Sequence, residues 1–238
     1  MKQMVKTKGK NKEISKIKYI WLIGIVLLIA IVIFTFLKIN NKTGKIGNNK
    51  IDKTTEGITE YILNISSYNA KIEVTVKSNK NTNEYKLEQQ YVSPNLAKQV
   101  VKEPSNIQDL TMISDGKNVT IENTKLNLTT LYENYHYLTE NHLFLNYFVE
   151  DYKNSNEAKA EEKDGLIVLQ MKAKNQNNKY SIFKKLYIDK NTAKPVKMEV
   201  QDVNQNTIVY ILYNEININS TKKEEIIAFS RKDRLTDI

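Results

Sequence analysis

The strongest constraint in this sequence is an uninterrupted apolar run from Ile20 to Leu37, 18 residues without a charge. As an α-helix, a run of this length rises about 27 Å, close to the thickness of the hydrocarbon core of a bilayer. A helix buried in a soluble core is the alternative, but such a helix usually keeps a polar face, which this run lacks. The sequence therefore predicts a transmembrane helix over residues 19–37.

Lysines flank the run on both sides, and their distribution predicts its orientation. Residues 1–18 hold seven lysines against one acid, and residues 38–50 hold four lysines. Because a lysine-rich tail is retained on the cytoplasmic side, we expect residues 1–18 to be a cytoplasmic basic tail. Residues 38–50 are then a linker, and residues 51–238 are an extracytoplasmic domain. No small-residue cleavage pattern follows the run, so the prediction is an uncleaved signal-anchor of a single-pass cell membrane protein.

The net charge of +9 belongs to the two membrane flanks and not to the domain. Residues 1–18 contribute +6 and residues 38–50 contribute +4, which leaves −1 for residues 51–238. A domain without excess positive charge argues against nucleic-acid binding. The chain has no cysteine, which excludes disulfides, thiolate metal ligands and a lipid anchor on cysteine.

The periodicity of apolar residues after residue 50 predicts one domain of mixed α and β structure. Residues 52–66 have helical spacing, and alternating apolar and polar residues after them predict strands. The predicted strands cover residues 71–77, 85–91, 96–103, 110–114, 118–122, 166–171, 181–189, 196–201 and 208–213. Asp115-Gly116 is a favoured hairpin turn, and the short connections predict antiparallel neighbours in a meander.

Aromatic residues crowd the middle of the domain, between residues 131 and 152. Thr139 is suited to be the N-cap of a helix in this segment. One face of that helix would carry Phe144, Tyr147, Phe148 and Tyr152. A helix with such an apolar face must be covered, so we expect it to pack on the inner surface of the sheet.

Short motifs recur at turns and strand ends throughout the domain. In the second half they are Leu186-Tyr187-Ile188-Asp189, Thr192, Pro195-Val196-Lys197-Met198, Asp202 with Asn204, Ile211 to Tyr213, and Ile218-Asn219. In the first half they are Tyr68-Asn69-Ala70, Tyr91, Ser93-Pro94, Lys102-Glu103-Pro104 and Asp115-Gly116. Together these motifs resemble the LolA-like superfamily of lipoprotein carriers, and within it most of all the GerS-like group of spore germination lipoproteins.

The resemblance spans about residues 55 to 230 and implies an α+β fold. In that fold a curved antiparallel β-sheet, an unclosed half-barrel, follows the N-terminal transmembrane helix and has helices on its concave face. The chain departs from the GerS-like group because it lacks the lipobox cysteine. A membrane helix would therefore replace the lipid anchor.

The residues that could carry chemistry do not form a catalytic or metal-binding set. His136 and His142 are six residues apart, which is not the spacing of a ligand pair. Ser181 and Lys184 match a Ser-x-x-Lys pattern, but they lie in an alternating stretch where residues three apart point to opposite faces of a strand. The sequence predicts no metal, no cofactor and no enzymatic activity.

The aromatic cluster is the candidate binding site. Its rings are those of Tyr132, Tyr135, Tyr137, Phe144, Tyr147 and Phe148. Two interpretations stay open: the rings form the core between helix and sheet, or some line an apolar groove for a lipid, an acyl chain or a partner's side chain. The tyrosines suit the second interpretation better, because tyrosine tolerates a position with one wet end.

The resemblance implies a membrane-anchored, non-catalytic binding protein. The first hypothesis is an accessory factor for a protein partner, such as a cell-wall hydrolase, in spore formation, germination or maintenance of the cell envelope. The alternative is a carrier or sensor of an apolar ligand, such as a lipid or a lipoprotein acyl chain.

Overall fold

The computed structural model describes residues 51–78, 80–135, 143–173 and 183–226. The predicted transmembrane helix, the basic tail and the linker lie outside these ranges. Among the described residues, no helix combines the length and the apolar character needed to cross a bilayer.

Two α-helices and eleven strands are complete within the described residues. The helices are α1 (Thr55–Leu63) and α2 (Leu145–Asn154). The strands are β1 (Ser67–Lys77), β2 (Thr82–Val92), β3 (Leu96–Glu103), β4 (Leu110–Ser114), β5 (Val119–Asn123), β6 (Leu128–Tyr132), β7 (Lys159–Lys163), β8 (Leu166–Lys172), β9 (Phe183–Asp189), β10 (Lys194–Gln201) and β11 (Thr207–Ile218). Single turns of 3-10 helix lie at Ser105–Ile107 and Thr124–Leu126.

The strands form one antiparallel sheet that is built from two meanders. From one edge to the other, the order is β6, β5, β4, β3, β2, β1, β11, β10, β9, β8 and β7. The first and last strands of the domain, β1 and β11, pair with each other and join the meanders. In the described residues the end strands β6 and β7 have one neighbour each, so the curved sheet is not closed. The predicted antiparallel half-barrel is confirmed.

The core lies between the two helices and the concave face of the sheet. Ile58 and Ile62 on α1 and Phe148 on α2 are fully buried. Alternating strand residues meet them from the sheet, among them Ile72, Leu169, Leu186, Met198 and Ile211. Both helices share a buried core with one face of the sheet, which explains why the described part of the aromatic segment is so apolar.

Helix α2 begins later than the sequence predicts. Its N-cap residue is Phe144, which has an extended backbone with ψ of 137°. Thr139, the predicted N-cap, lies outside the described residues. The N–H of Leu145 donates to the buried hydroxyl of Tyr68 at 3.1 Å. A side chain from β1 thus satisfies a free N–H at the start of the helix, and local sequence contains no sign of that contact.

The two end strands are also missing from the sequence prediction. Strand β6 has only five residues, and every residue of β7 is exposed. A short strand without a buried face lacks the alternation on which a strand prediction depends. In addition, β11 continues to Ile218, beyond the predicted end at residue 213, because it pairs with β1 along that stretch.

Candidate functional site

Apolar side chains are exposed along β6 and the residues next to it. Among the described residues, six large hydrophobic side chains are exposed, and five of them lie between residues 126 and 135. They are Leu126, Leu128, Leu131, Tyr132 and Tyr135, with exposed fractions from 46% to 70%. We call these five residues the apolar edge. Because contiguous exposed apolar side chains typically mark a binding surface, the apolar edge is the candidate site.

The apolar edge reaches both faces of the sheet. Tyr132 lies opposite Val119, which lies opposite Ser114 and then Ala97 of the core, so Tyr132 stands on the concave face. Leu131 is the adjacent residue and therefore points to the convex face. The rings of Tyr132 and Tyr135 are 6.0 Å apart, within the range of aromatic pairs.

Asparagine side chains fix both ends of the segment that carries the apolar edge. Before β6, the N–H of Leu126 donates to Oδ1 of Asn123 at 3.1 Å. After β6, the N–H of Asn134 donates to Oδ1 of Asn118 at 3.2 Å. The amide of Asn118 in turn donates to Asp115 at 3.1 Å. These bonds hold β6 against β5, so the edge is ordered before anything binds to it.

The other predicted site residues belong to the core. Phe144 and Phe148 are at most 1% exposed and Tyr147 is 8% exposed. Burial, and next the charge of Glu150, raises the pKa of Tyr147 well above its usual value, which keeps the ring neutral. Tyr137 lies outside the described residues. The structure thus separates Tyr132 and Tyr135 at the edge from three rings in the core.

Sequence reasoning missed the leucines of the apolar edge. Leu128 and Leu131 lie in the stretch LTTLY, whose threonine and tyrosine favour a strand. The enrichment in strand-forming residues was a usable signal, although the stretch is short. The composition of this stretch does not indicate that the strand lies at the end of the sheet.

Lys184 of the Ser-x-x-Lys pattern has a structural role in a buried ion pair. Its side chain is 1% exposed, and Nζ pairs with the carboxylate of Asp151 on α2. Burial lowers the pKa of Lys184, and the Asp151 carboxylate opposes that shift. His136, His142 and Ser181 lie outside the described residues. Within the described ranges, no group of three or more His, Cys, Asp or Glu residues could hold a metal ion.

The described residues form an unclosed antiparallel half-barrel, the architecture that the resemblance to the LolA-like superfamily predicts. The chain belongs to the sporulation protein YdcC-like family, whose model matches residues 17–227. A comparison with curated proteins found no match.

Several solved structures are similar to this chain. One is the CwlD amidase from Clostridioides difficile in complex with the GerS lipoprotein, with 22% identity, a TM-score of 0.40, and coverage of 76% of this chain and 99% of that chain. Another is a LolA superfamily protein from Nitrosomonas europaea, with 10% identity, a TM-score of 0.40, and coverage of 73% and 97%. A third is a conserved protein from Thermus thermophilus, with 10% identity, a TM-score of 0.44, and coverage of 73% and 90%.

Proposed function

We propose that this protein is a non-catalytic accessory factor in sporulation that binds a protein partner through the apolar edge. The observation that carries the proposal is the concentration of exposed leucine and tyrosine side chains on one end strand. Membership of a sporulation protein family supports the process in which it acts. Tyrosine is also enriched among the residues that contribute most of the binding energy at protein interfaces, and the leucines supply apolar area around the two tyrosines.

The partner and the cellular location follow from the same proposal. The lysine-flanked apolar run Ile20 to Leu37 supports anchoring in the cytoplasmic membrane, with residues 51–238 on the outer side. A protein held there would meet enzymes that act on the cell wall or the spore cortex. The resemblance of the sequence to the GerS-like group supports a cell-wall hydrolase as the partner, and an amidase of the CwlD type is the first candidate to test.

The first prediction compares two lysine substitutions at equally exposed apolar residues. Leu131 in the apolar edge and Val203 in the β10–β11 turn are each 56% exposed. We expect Leu131→Lys to weaken binding of the full-length chain to a CwlD-type amidase from the same organism at least about tenfold, because a charge would enter the interface. Val203→Lys is the matched control and should leave the affinity unchanged. Affinity is measured by surface plasmon resonance, and the melting temperature of each variant is checked.

Equal affinities for the two variants and the unmodified chain would show that the apolar edge is not the binding surface. No binding by any of them would overturn the proposed partner.

A further inference from the structure

We propose that the partner binds by adding a strand to β6, so that it continues the sheet beyond its present end. This inference rests on the proposed function and specifies how the apolar edge is used. The occupant is an extended segment of the partner with at least about five uncharged residues, the length of β6.

One side of β6 has no neighbouring strand within the described residues. This strand pairs with β5 along all five residues, Leu128 to Tyr132, and within the described residues it is the last strand of the sheet. In an antiparallel strand, alternate residues direct their N–H and C=O groups to opposite sides. One set of these groups is bonded to β5, and the other set therefore faces outward and can bond to a further strand.

The two end strands of the sheet differ in charge. The sequence of β7 is KAEEK, four charged residues out of five, and Lys190 bonds Glu162 there at 2.7 Å. Charged end strands prevent a sheet from pairing with another chain. The sequence of β6 is LTTLY, without a charge. Within the described residues, one end strand of the sheet is thus blocked by charge, and the other is uncharged and open to pairing on its outer side.

Strand β6 requires no ordering before it pairs with a strand of the partner. The bonds from Asn123 and Asn118 fix its two ends, and Nζ of Lys125 donates to the carbonyl of Ser105 at 3.2 Å. A rigid edge avoids the entropy cost that weakens binding by flexible segments.

Charge and side-chain alternation define the chemistry of the incoming strand. Its residues would alternate between the face of Leu128 and Tyr132 and the face of Leu131, so apolar side chains are favoured at both kinds of position. A charge opposite these residues would be desolvated without compensation. Lys125 is already bonded to Ser105, whereas Glu133 is exposed at the other end of β6. A lysine or arginine of the partner beside Glu133 would complement that carboxylate.

Residue-resolved hydrogen exchange on the full-length chain, alone and with the CwlD-type amidase, tests strand addition. In the free chain, alternate amides of residues 128–132 should exchange rapidly because they face outward. In the complex, those amides should slow by about tenfold or more, because they become bonded to the added strand. The amides of β7 provide the control and should not change.

A proline substitution provides a second measurement. Thr129 and Thr130 direct their N–H groups to opposite sides of β6, and exchange in the free chain identifies the outward one. Proline at the outward position removes a donor that the fold does not use. We expect at least about tenfold weaker binding with an unchanged melting temperature, whereas serine at the same position should bind normally.

The outcomes separate this inference from the proposed function. If the amidase binds, Leu131→Lys weakens it and the outward amides still exchange rapidly, then strand addition is overturned and the proposed function stands. If the outward amides slow and proline weakens binding, strand addition is supported. If the amidase does not bind at all, the proposed partner is overturned, and strand addition by that partner is overturned with it.

Discussion

At the residue scale, Lys184 is held by a single carboxylate within apolar surroundings. Its position on β9 pairs with Met171 on β8 and Val200 on β10, and both of those side chains are buried. The ammonium group reaches past them to Asp151 on α2. Burial lowers the pKa of Lys184, and Asp151 raises it. The ion pair thus connects helix to sheet while its attraction offsets a desolvation cost.

Removing either partner should therefore have unequal effects. We expect Asp151→Ala to lower the free energy of unfolding by roughly 2 kcal/mol, because it leaves a buried ammonium group without its carboxylate. The loss is smaller than for a fully buried pair, because the Asp151 side chain is 34% exposed and water can reach the site. Lys184→Met should cost less than about 1 kcal/mol, since methionine fills the same space without a charge. Urea unfolding at pH 7 measures both.

The neighbouring residue supplies the control for this pair. Lys185 follows Lys184 on β9 and points to the opposite face, so Lys185→Met should leave the free energy of unfolding nearly unchanged. Equal losses for Asp151→Ala and Lys184→Met would contradict the explanation.

At the scale of elements, three hairpins use an aspartate in the same way. Asp115 accepts the N–H groups of residues 117 and 118 at 2.8 and 2.7 Å. Asp189 accepts the N–H and hydroxyl of Thr192 at 2.7 and 2.9 Å. Asp202 accepts the N–H groups of residues 204 and 206 at 2.9 and 2.8 Å. Each carboxylate satisfies backbone donors in a turn, where no strand can bond them.

These bonds lower the pKa of all three aspartates. For Asp189 the largest cause is the N–H of Thr192, and for Asp202 it is the N–H of Asn206. For Asp115, burial acts first and raises the pKa, but the N–H groups of residues 118 and 117 reverse the shift. A folded pKa below the unfolded value means that the carboxylate stabilises the fold at neutral pH. That stabilisation is lost as the pH falls below about 4, through the folded pKa.

Substitution of Asp202 tests this pH dependence. Asp202→Ala should be less stable than the unmodified chain at pH 7, because the turn loses a charged acceptor. At pH 2 the gap should shrink, because a larger fraction of the unmodified carboxylate is protonated there than at pH 7. The measurement is urea unfolding at pH 7 and pH 2. A gap of the same size at both pH values would show that the carboxylate charge has no part in the turn.

The same scale shows what the sequence can reveal about each element. Strand β2 is predicted because buried and less buried residues alternate along it, and both β2 and β3 end close to a proline, Pro94 or Pro104. Strands β6 and β7 could not be predicted, because an end strand need not bury either of its faces. The first residue of α2 could not be predicted from local sequence, because its N–H is bonded to Tyr68, which lies on another element. The exposure of Tyr132 and Tyr135 is predictable from the amphipathic character of tyrosine. The exposure of the neighbouring leucines is not predictable in this way.

At the scale of the whole molecule, one pairing unites two halves of the domain. Strands β1 and β11 are separated by more of the chain than any other described pair of neighbours, yet they form the middle of the sheet. Local patterns predicted antiparallel neighbours within each meander, and this long-range pairing could not come from them. Asn219 marks its end: Oδ1 accepts the N–H of Ser66 at 2.9 Å, and the N–H donates to the carbonyl of Ser67 at 2.7 Å.

Asn219→Ala should consequently lower the stability of both meanders, and not of only one. Asn219 has a φ of 57°, which alanine adopts at a cost of about 1 kcal/mol, and the bond to Ser66 is also lost. We expect the free energy of unfolding to fall by roughly 1–2 kcal/mol. Because β1 and β11 join the meanders, amide exchange should accelerate by the same factor in β3 and in β8. Asn191→Ala, at an exposed turn position, is the control and should change neither strand. Faster exchange in β8 alone would mean that the meanders unfold independently, and the β1–β11 pairing would then not make the sheet one cooperative unit.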